Sequence, residues 1–88
     1  MQRRWVVSSD YRSIIEALIQ ARKDRGVSQR ALAAKLNKPP SFTNKIENLE
    51  RRLDILEFIA IARALELDSA KLITLVSCGL PDQIDLNA

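Results

Sequence analysis

The sequence predicts an all-α domain of five helices. Three observations carry that prediction. The composition favours helices: Ala, Leu, Ile, Arg and Glu dominate, with two glycines, three prolines and 5% aromatics. Apolar residues recur at i, i+3, i+4 spacing in several separate stretches. Capping residues and helix stops alternate along the chain and divide it into five intervals. Eighty-eight residues, 47% of them hydrophobic, make one globular domain and not a disordered chain. A chain of this size buries only about 60–65% of its unfolded surface, so association would add stability.

Residues 1–8 read as an arm, with Arg3 and Arg4 available to phosphates or a minor groove and Trp5, Val6 and Val7 costly to leave wet. Ser9 or Asp10 can cap helix 1, which should run to about Arg25. Tyr11, Ile14, Ile15, Leu18 and Ile19 form its apolar stripe. Gly26 stops it in the left-handed conformation, and Val27 precedes the next cap as a hydrophobic staple with Leu32 nearby. Ser28 caps helix 2, where Leu32, Ala33 and Leu36 share a side. Asn37 is the best non-glycine helix stop. Pro39 and Pro40 cannot continue helix 2, but Pro40 suits the first turn of helix 3. Phe42, Ile46 and Leu49 are the apolar stripe of helix 3, with Ser41, Asn44, Lys45 and Asn48 on other faces.

A basic loop through Arg51 and Arg52 leads to Asp54, which caps helix 4 from Ile55 to about Leu65. Ile55, Phe58, Ile61, Ala62 and Leu65 give this helix one apolar face. Leu56, Ile59 and Ala60 give it a second, so it should be covered on two sides. Asp68 caps helix 5, about Ser69 to Cys78, with Leu72, Ile73, Leu75 and Val76 again on more than one face. Gly79 and Pro81 end it. The boundaries are therefore an arm at 1–8, a domain at 9–79 and a tail at 80–88. The tail either lacks order or folds back on helix 5 or a partner subunit.

The net charge of +3 is unevenly placed. Residues 1–52 hold 12 Lys/Arg against 5 Asp/Glu, whereas residues 53–88 hold 2 against 6. A cation-rich half suits a polyanion. Enzyme chemistry is disfavoured: the chain has no His, no metal-ligand cluster, no Gly-rich phosphate loop and no recognisable nucleophile–base pair. No cofactor is called for. The single Cys78 reads as buried or at an interface and fits a reducing cytoplasm. The N-terminal residues lack the apolar core of a signal peptide, and no apolar run approaches the ~20 residues of a membrane span.

Three motifs taken together, LIQARKDRGVSQRALAAKL, then KIEN, then FIAIARALELDSAKL, resemble the lambda-repressor-like Cro/Xre family of helix-turn-helix DNA-binding domains. The resemblance runs from about Ile14 to Leu75 and makes helices 2 and 3 the helix-turn-helix. It implies that Ala33 lets helix 3 approach closely. It maps the base-reading positions to Pro40, Ser41, Asn44 and Lys45. Phosphate contacts map to Gln29, Lys38, Asn48, Arg51 and Arg52. Arg22 and Glu47 map to an ion pair between helices 1 and 3. Lys45 can donate to guanine O6/N7, and Asn44 can pair with adenine N6/N7. Arg51 and Arg52 would position the domain without reading sequence.

The chain departs from the family pattern in four places. Asn37 replaces a turn Gly. Pro39-Pro40 stands where polar residues are usual, which shifts direct readout to Ser41, Asn44 and Lys45. Thr43 stands where a buried aliphatic is common, with Phe42 expected to fill that space. Leu49 and Glu50 replace a Gly and a basic residue.

The resemblance implies a small homodimeric transcriptional regulator, a repressor or controller protein, on a pseudo-palindromic double-stranded DNA site. The second apolar faces of helices 4 and 5 (Leu56, Ile59, Ala60, Leu72, Leu75, Val76) are the expected dimer interface. A second reading stays open: an antitoxin or adaptor on the same scaffold, which binds a regulatory protein partner through its acidic, apolar C-terminal half.

Overall fold

A computed structural model of the protein describes residues 8–86. The arm residues Arg3, Arg4, Trp5, Val6 and Val7 lie outside the described residues. Five helices follow in chain order: α1 (Ser9–Asp24), α2 (Gln29–Lys35), α3 (Ser41–Glu47), α4 (Ile55–Ala64) and α5 (Ser69–Cys78). No strand occurs among the described residues.

Side-chain caps start four of the helices. The Ser28 hydroxyl accepts from the Ala31 N–H at 3.0 Å, and the Asp68 carboxylate accepts from Ala70 and Lys71. Asp54 and Glu57 form a reciprocal capping box: Asp54 accepts from the Glu57 N–H at 2.7 Å, and Glu57 accepts from the Asp54 N–H at 3.0 Å. The D-x-x-E spacing of Asp54 and Glu57 announces this box in the sequence. Helix 1 is capped by Ser8, not by Ser9 or Asp10. Ser8 is extended (φ −61°, ψ 129°) and its Oγ faces the Tyr11 N–H, which leaves Ser9 and Asp10 free to enter the helix.

The first four helices share one stop. Gly26 (φ 70°), Asn37 (φ 57°), Leu49 (φ 62°) and Glu66 (φ 60°) all adopt the left-handed conformation one residue past a helix cap. In each case the next N–H reaches back to a carbonyl in the last turn: Val27 to Arg22, Lys38 to Ala33, Glu50 to Lys45 and Leu67 to Ala62, at 2.8–3.1 Å. These are Schellman closures, which satisfy carbonyls that a helix end leaves orphaned.

The core draws on all five helices. Ile15 and Leu18 come from α1, Leu32 and Ala33 from α2, Ile46 from α3, Phe58, Ile61 and Ala62 from α4, and Leu72 and Val76 from α5. Leu65, the α4 cap residue, is also fully enclosed. α2 packs on α3, α4 on α5, and α1 bridges α3 and α5. Ala33 has no exposed surface, and a larger side chain there would separate α2 from its neighbours.

Four expectations change. Leu72 and Val76, expected at a subunit interface, are 4% and 7% exposed within a single chain and belong to its own core. Leu56 and Leu75 remain exposed, at 72% and 63%, and Ile59 and Ala60 are half-buried. Thr43, not Phe42, fills the inward position of α3, while Phe42 lies half-buried at the rim. Cys78 is exposed, because it falls on the outer side of α5. The tail returns to the start of α1, not to α5. The Asp85 N–H donates to Asp10 Oδ2 at 2.8 Å, and the Ser8 hydroxyl donates to the Asp85 carbonyl at 3.0 Å.

Candidate nucleic-acid interface

The turn between α2 and α3 is set by backbone chemistry. Asn37 turns left-handed, Pro39 and Pro40 lack N–H groups, and α3 begins at Ser41 with Pro40 already at helical φ and ψ (−55°, −29°). Thr43 and Ile46 face the core, which turns Ser41, Asn44, Lys45 and Asn48 outward; all four are exposed. Pro40 and Lys38 are exposed at the head of the same helix. Six of the residues assigned by sequence to DNA contact thus lie on α3 or its entry.

Behind this surface sits a buried ion pair. Arg22 Nε and Nη2 donate to the two oxygens of Glu47 at 2.7 and 3.0 Å, with the side chains 10% and 9% exposed. Arg22 Nη1 also donates to the Val27 carbonyl at 2.8 Å. α1, α3 and the loop before α2 are therefore tied at one point. Paired and hydrogen-bonded charges of this kind can persist in an interior where single ones cannot.

Glu47 holds more than Arg22. Gln29 Nε2 donates to Glu47 Oε1 at 2.7 Å. Asn44 Nδ2 donates to Gln29 Oε1 at 3.4 Å, and Asn48 Nδ2 donates to Asn44 Oδ1 at 3.2 Å. A line of side chains thus runs from the buried Arg22 to the outer face of α3. Gln29 lies across the α2–α3 junction and not apart from the positions expected to read bases.

The basic loop is equally structured. Arg51 makes two bonds to the Glu57 carboxylate, at 2.9 and 2.6 Å, so its guanidinium, though 40% exposed, is already paired within the chain. Arg51 lies over the Phe42 ring at 4.9 Å, and Lys38 lies over the same ring at 5.5 Å. Phe42 is thus a platform that holds two cations beside α3. Arg52 lies over the Tyr11 ring at 4.6 Å, and the Tyr11 hydroxyl accepts from the Leu53 N–H at 3.0 Å. Burial pushes the Tyr11 phenol above its ordinary value. Hydrogen bonding from Arg51 pulls the Glu57 carboxyl below the usual carboxylate value. The roles of Tyr11, Phe42 and Glu57 were not read from the sequence, because each depends on which loop residue the fold brings to it.

The helix-turn-helix family matches residues 18–72, more than half the chain. The chain belongs to the Cro/Xre-type helix-turn-helix family. Among solved structures, it is similar to an XRE-family like protein from Pseudomonas syringae pv. tomato str. DC3000. The two share 37% identity over 83% of this chain and 89% of that one, with a TM-score of 0.77. It also shares its fold with the clp gene regulator ClgR from Corynebacterium glutamicum, at 20% identity over 84% of this chain and 96% of that one (TM-score 0.70). A second ClgR structure gives 20% identity, 80% and 74% coverage and a TM-score of 0.68. A comparison with curated protein sequences finds no match. Cro/Xre membership makes this chain a DNA-binding domain of the transcription-regulator type. No helix of the described residues is long and apolar enough to cross a membrane.

A groove of about 530 Å³ between α1 and α5, lined by Ala17, Ala21, Leu67, Leu72 and Leu75 among others, receives no residue from α3. It is separate from the helix-turn-helix surface.

Proposed function

We propose that the protein is a homodimeric, sequence-specific regulator that inserts α3 into the DNA major groove. The observation that carries this reading is the outward face of α3. Ser41, Asn44 and Lys45 stand exposed on one short helix, with Lys38 and Arg52 exposed beside it. Asn44 and Lys45 have the chemistry to read adenine and guanine edges. Lys38 and the loop cations meet phosphates and set the docking pose. Two copies related by a twofold axis would read half-sites about one helical turn, ~34 Å, apart. Exposed Leu56 and Leu75, with Ile55 and Ile73 near them in sequence, supply apolar surface for that dimer.

Binding of a short inverted-repeat duplex, recovered by selection from random DNA, should weaken steeply with salt. The logarithmic slope should be about 0.9 per neutralised phosphate. Asn44→Ala/Lys45→Ala should relax the recovered motif. Exposed Leu56 and Leu75 equally suit the alternative, an antitoxin or adaptor that binds a protein. Salt-insensitive capture of a protein, with no DNA motif recovered, would decide for that alternative.

A further inference from the structure

A second groove, of about 250 Å³, opens where α1, α4 and α5 meet. Tyr11 and Ile14 line it from α1, Ile55 and Phe58 from α4, and Ile73 from α5. Phe58 is its buried floor, whereas Ile55 is 66% exposed and Ile73 42%. Apolar surface left in water costs about 25 cal/mol per Å². The volume falls below the ~300–1,000 Å³ typical of drug-sized ligand sites and suits one large side chain. Arg52 and Asp54, both exposed, stand at the rim. Arg52 lies over the Tyr11 ring at 4.6 Å, and Asp54 Oδ1 caps α4.

We infer that Trp5 of the same chain fills this groove and so holds Arg3 and Arg4 beside Arg52, where they add phosphate contacts to DNA. Reach supports the assignment. Ser8 is buried and its hydroxyl accepts from the Tyr11 N–H, so the chain enters α1 one turn from the groove. Trp5 precedes Ser8 by three residues, an extended reach of about 10 Å. At the helical rise, Tyr11 and Ile14 stand only about 4.5 and 9 Å along α1 from Ser8. The larger groove between α1 and α5 begins at Ala17, about 13.5 Å along, and runs on to Arg25. Chemistry supports it as well. An indole buries a large apolar area and needs an acceptor for its N–H, which the Asp54 carboxylate offers at the rim. Arg3 and Arg4 directly precede Trp5, so the seated ring would bring two more cations to the loop that flanks α3. Their contact with phosphates rests on the proposed insertion of α3 into DNA; the seat of Trp5 does not.

Trp5 is the one tryptophan of the chain, so its own fluorescence reports the seat. In the full-length wild type the emission should be blue-shifted and resist acrylamide. Ile55→Lys/Ile73→Lys, at exposed positions, should keep the far-ultraviolet circular dichroism, shift the emission to the red and raise quenching severalfold. A wild-type emission like that of tryptophan in water overturns the inference without any variant. A blue shift that survives Ile55→Lys/Ile73→Lys overturns it too, because Trp5 is then buried elsewhere. A blue shift that fades on dilution overturns the same-chain seat in favour of a second copy's arm. On the selected duplex, Arg3→Ala/Arg4→Ala should lower the salt slope by about 0.9 per arginine and leave the recovered motif unchanged. Trp5→Ala should weaken all sequences by one common factor. An unchanged slope overturns the phosphate role of the arm while leaving the DNA-reading function intact. Recovery of no motif by a wild type whose Trp5 is seated overturns the DNA reading and confirms the seat alone.

Discussion

Single residues show where this chain is not optimised for stability. Thr43 is 4% exposed, and its hydroxyl has no hydrogen-bond partner. A buried unsatisfied hydroxyl costs about 1–3 kcal/mol. Thr43→Val keeps the shape and removes the hydroxyl, so it should raise stability by about 1 kcal/mol in urea denaturation. The family habit of an aliphatic here was legible in the sequence; that Thr43 would itself turn inward was not, because the larger Phe42 competes for the same space. Glu47 is the opposite case. Glu47→Ala would leave the Arg22 guanidinium buried without its partner, and unfolding should become easier by about 3 kcal/mol. The Arg22–Glu47 pair came from the family resemblance. Its extension through Gln29 to Asn44 did not, since the spacing between positions 29 and 44 carries no periodic signal.

At the scale of elements, the caps were more legible than the stops. Ser28, Asp54 and Asp68 are polar residues directly before apolar periodic runs, so the sequence announces them. Gly26 and Asn37 announce stops in the same way. Leu49 and Glu66 do not, because their left-handed conformation is imposed by the packing of the next segment. A non-glycine residue pays roughly 1–2 kcal/mol for that conformation. The Glu66 side chain is 76% exposed and makes only a 3.5 Å contact to Arg25. Glu66→Gly should therefore raise the melting temperature, with a gain of about 0.5–1 kcal/mol. The start of α4 adds a pH dependence. The Glu57 carboxyl is held low, first by its bond from Arg51 and then by the Asp54 N–H. A depressed folded value means that its stabilising contribution is full above the ordinary value of 4.5 and is lost as the pH falls through the folded value. The stability difference between wild type and Glu57→Gln should be constant near neutrality and shrink below pH 4.5.

For the whole molecule, five helices, their order and most of the core followed from apolar spacing. The division of the apolar residues of α5 did not. Two apolar faces on one helix leave open which is closed by the same chain, and here α1 and α4 enclose Leu72 and Val76 while Leu75 stays outside. Leu56→Lys/Leu75→Lys should accordingly leave the melting temperature within a few degrees of wild type, yet shift a dimer towards monomer in sedimentation. The path of the tail was equally hidden, because residues 81–86 carry no pattern that names α1 as their destination. That path has a consequence for the chain as a closed curve. Ser8 and Asp85 touch, so a short linker between positions 8 and 85 would join the two ends of the five-helix domain into a ring. A backbone circle made that way restricts the unfolded ensemble without stretching the folded one. Chain-entropy estimates put the gain at up to about 4 kcal/mol. It would also permit new termini to be opened in a surface loop elsewhere, turning the same five helices into a permuted chain with the outward face of α3 unchanged.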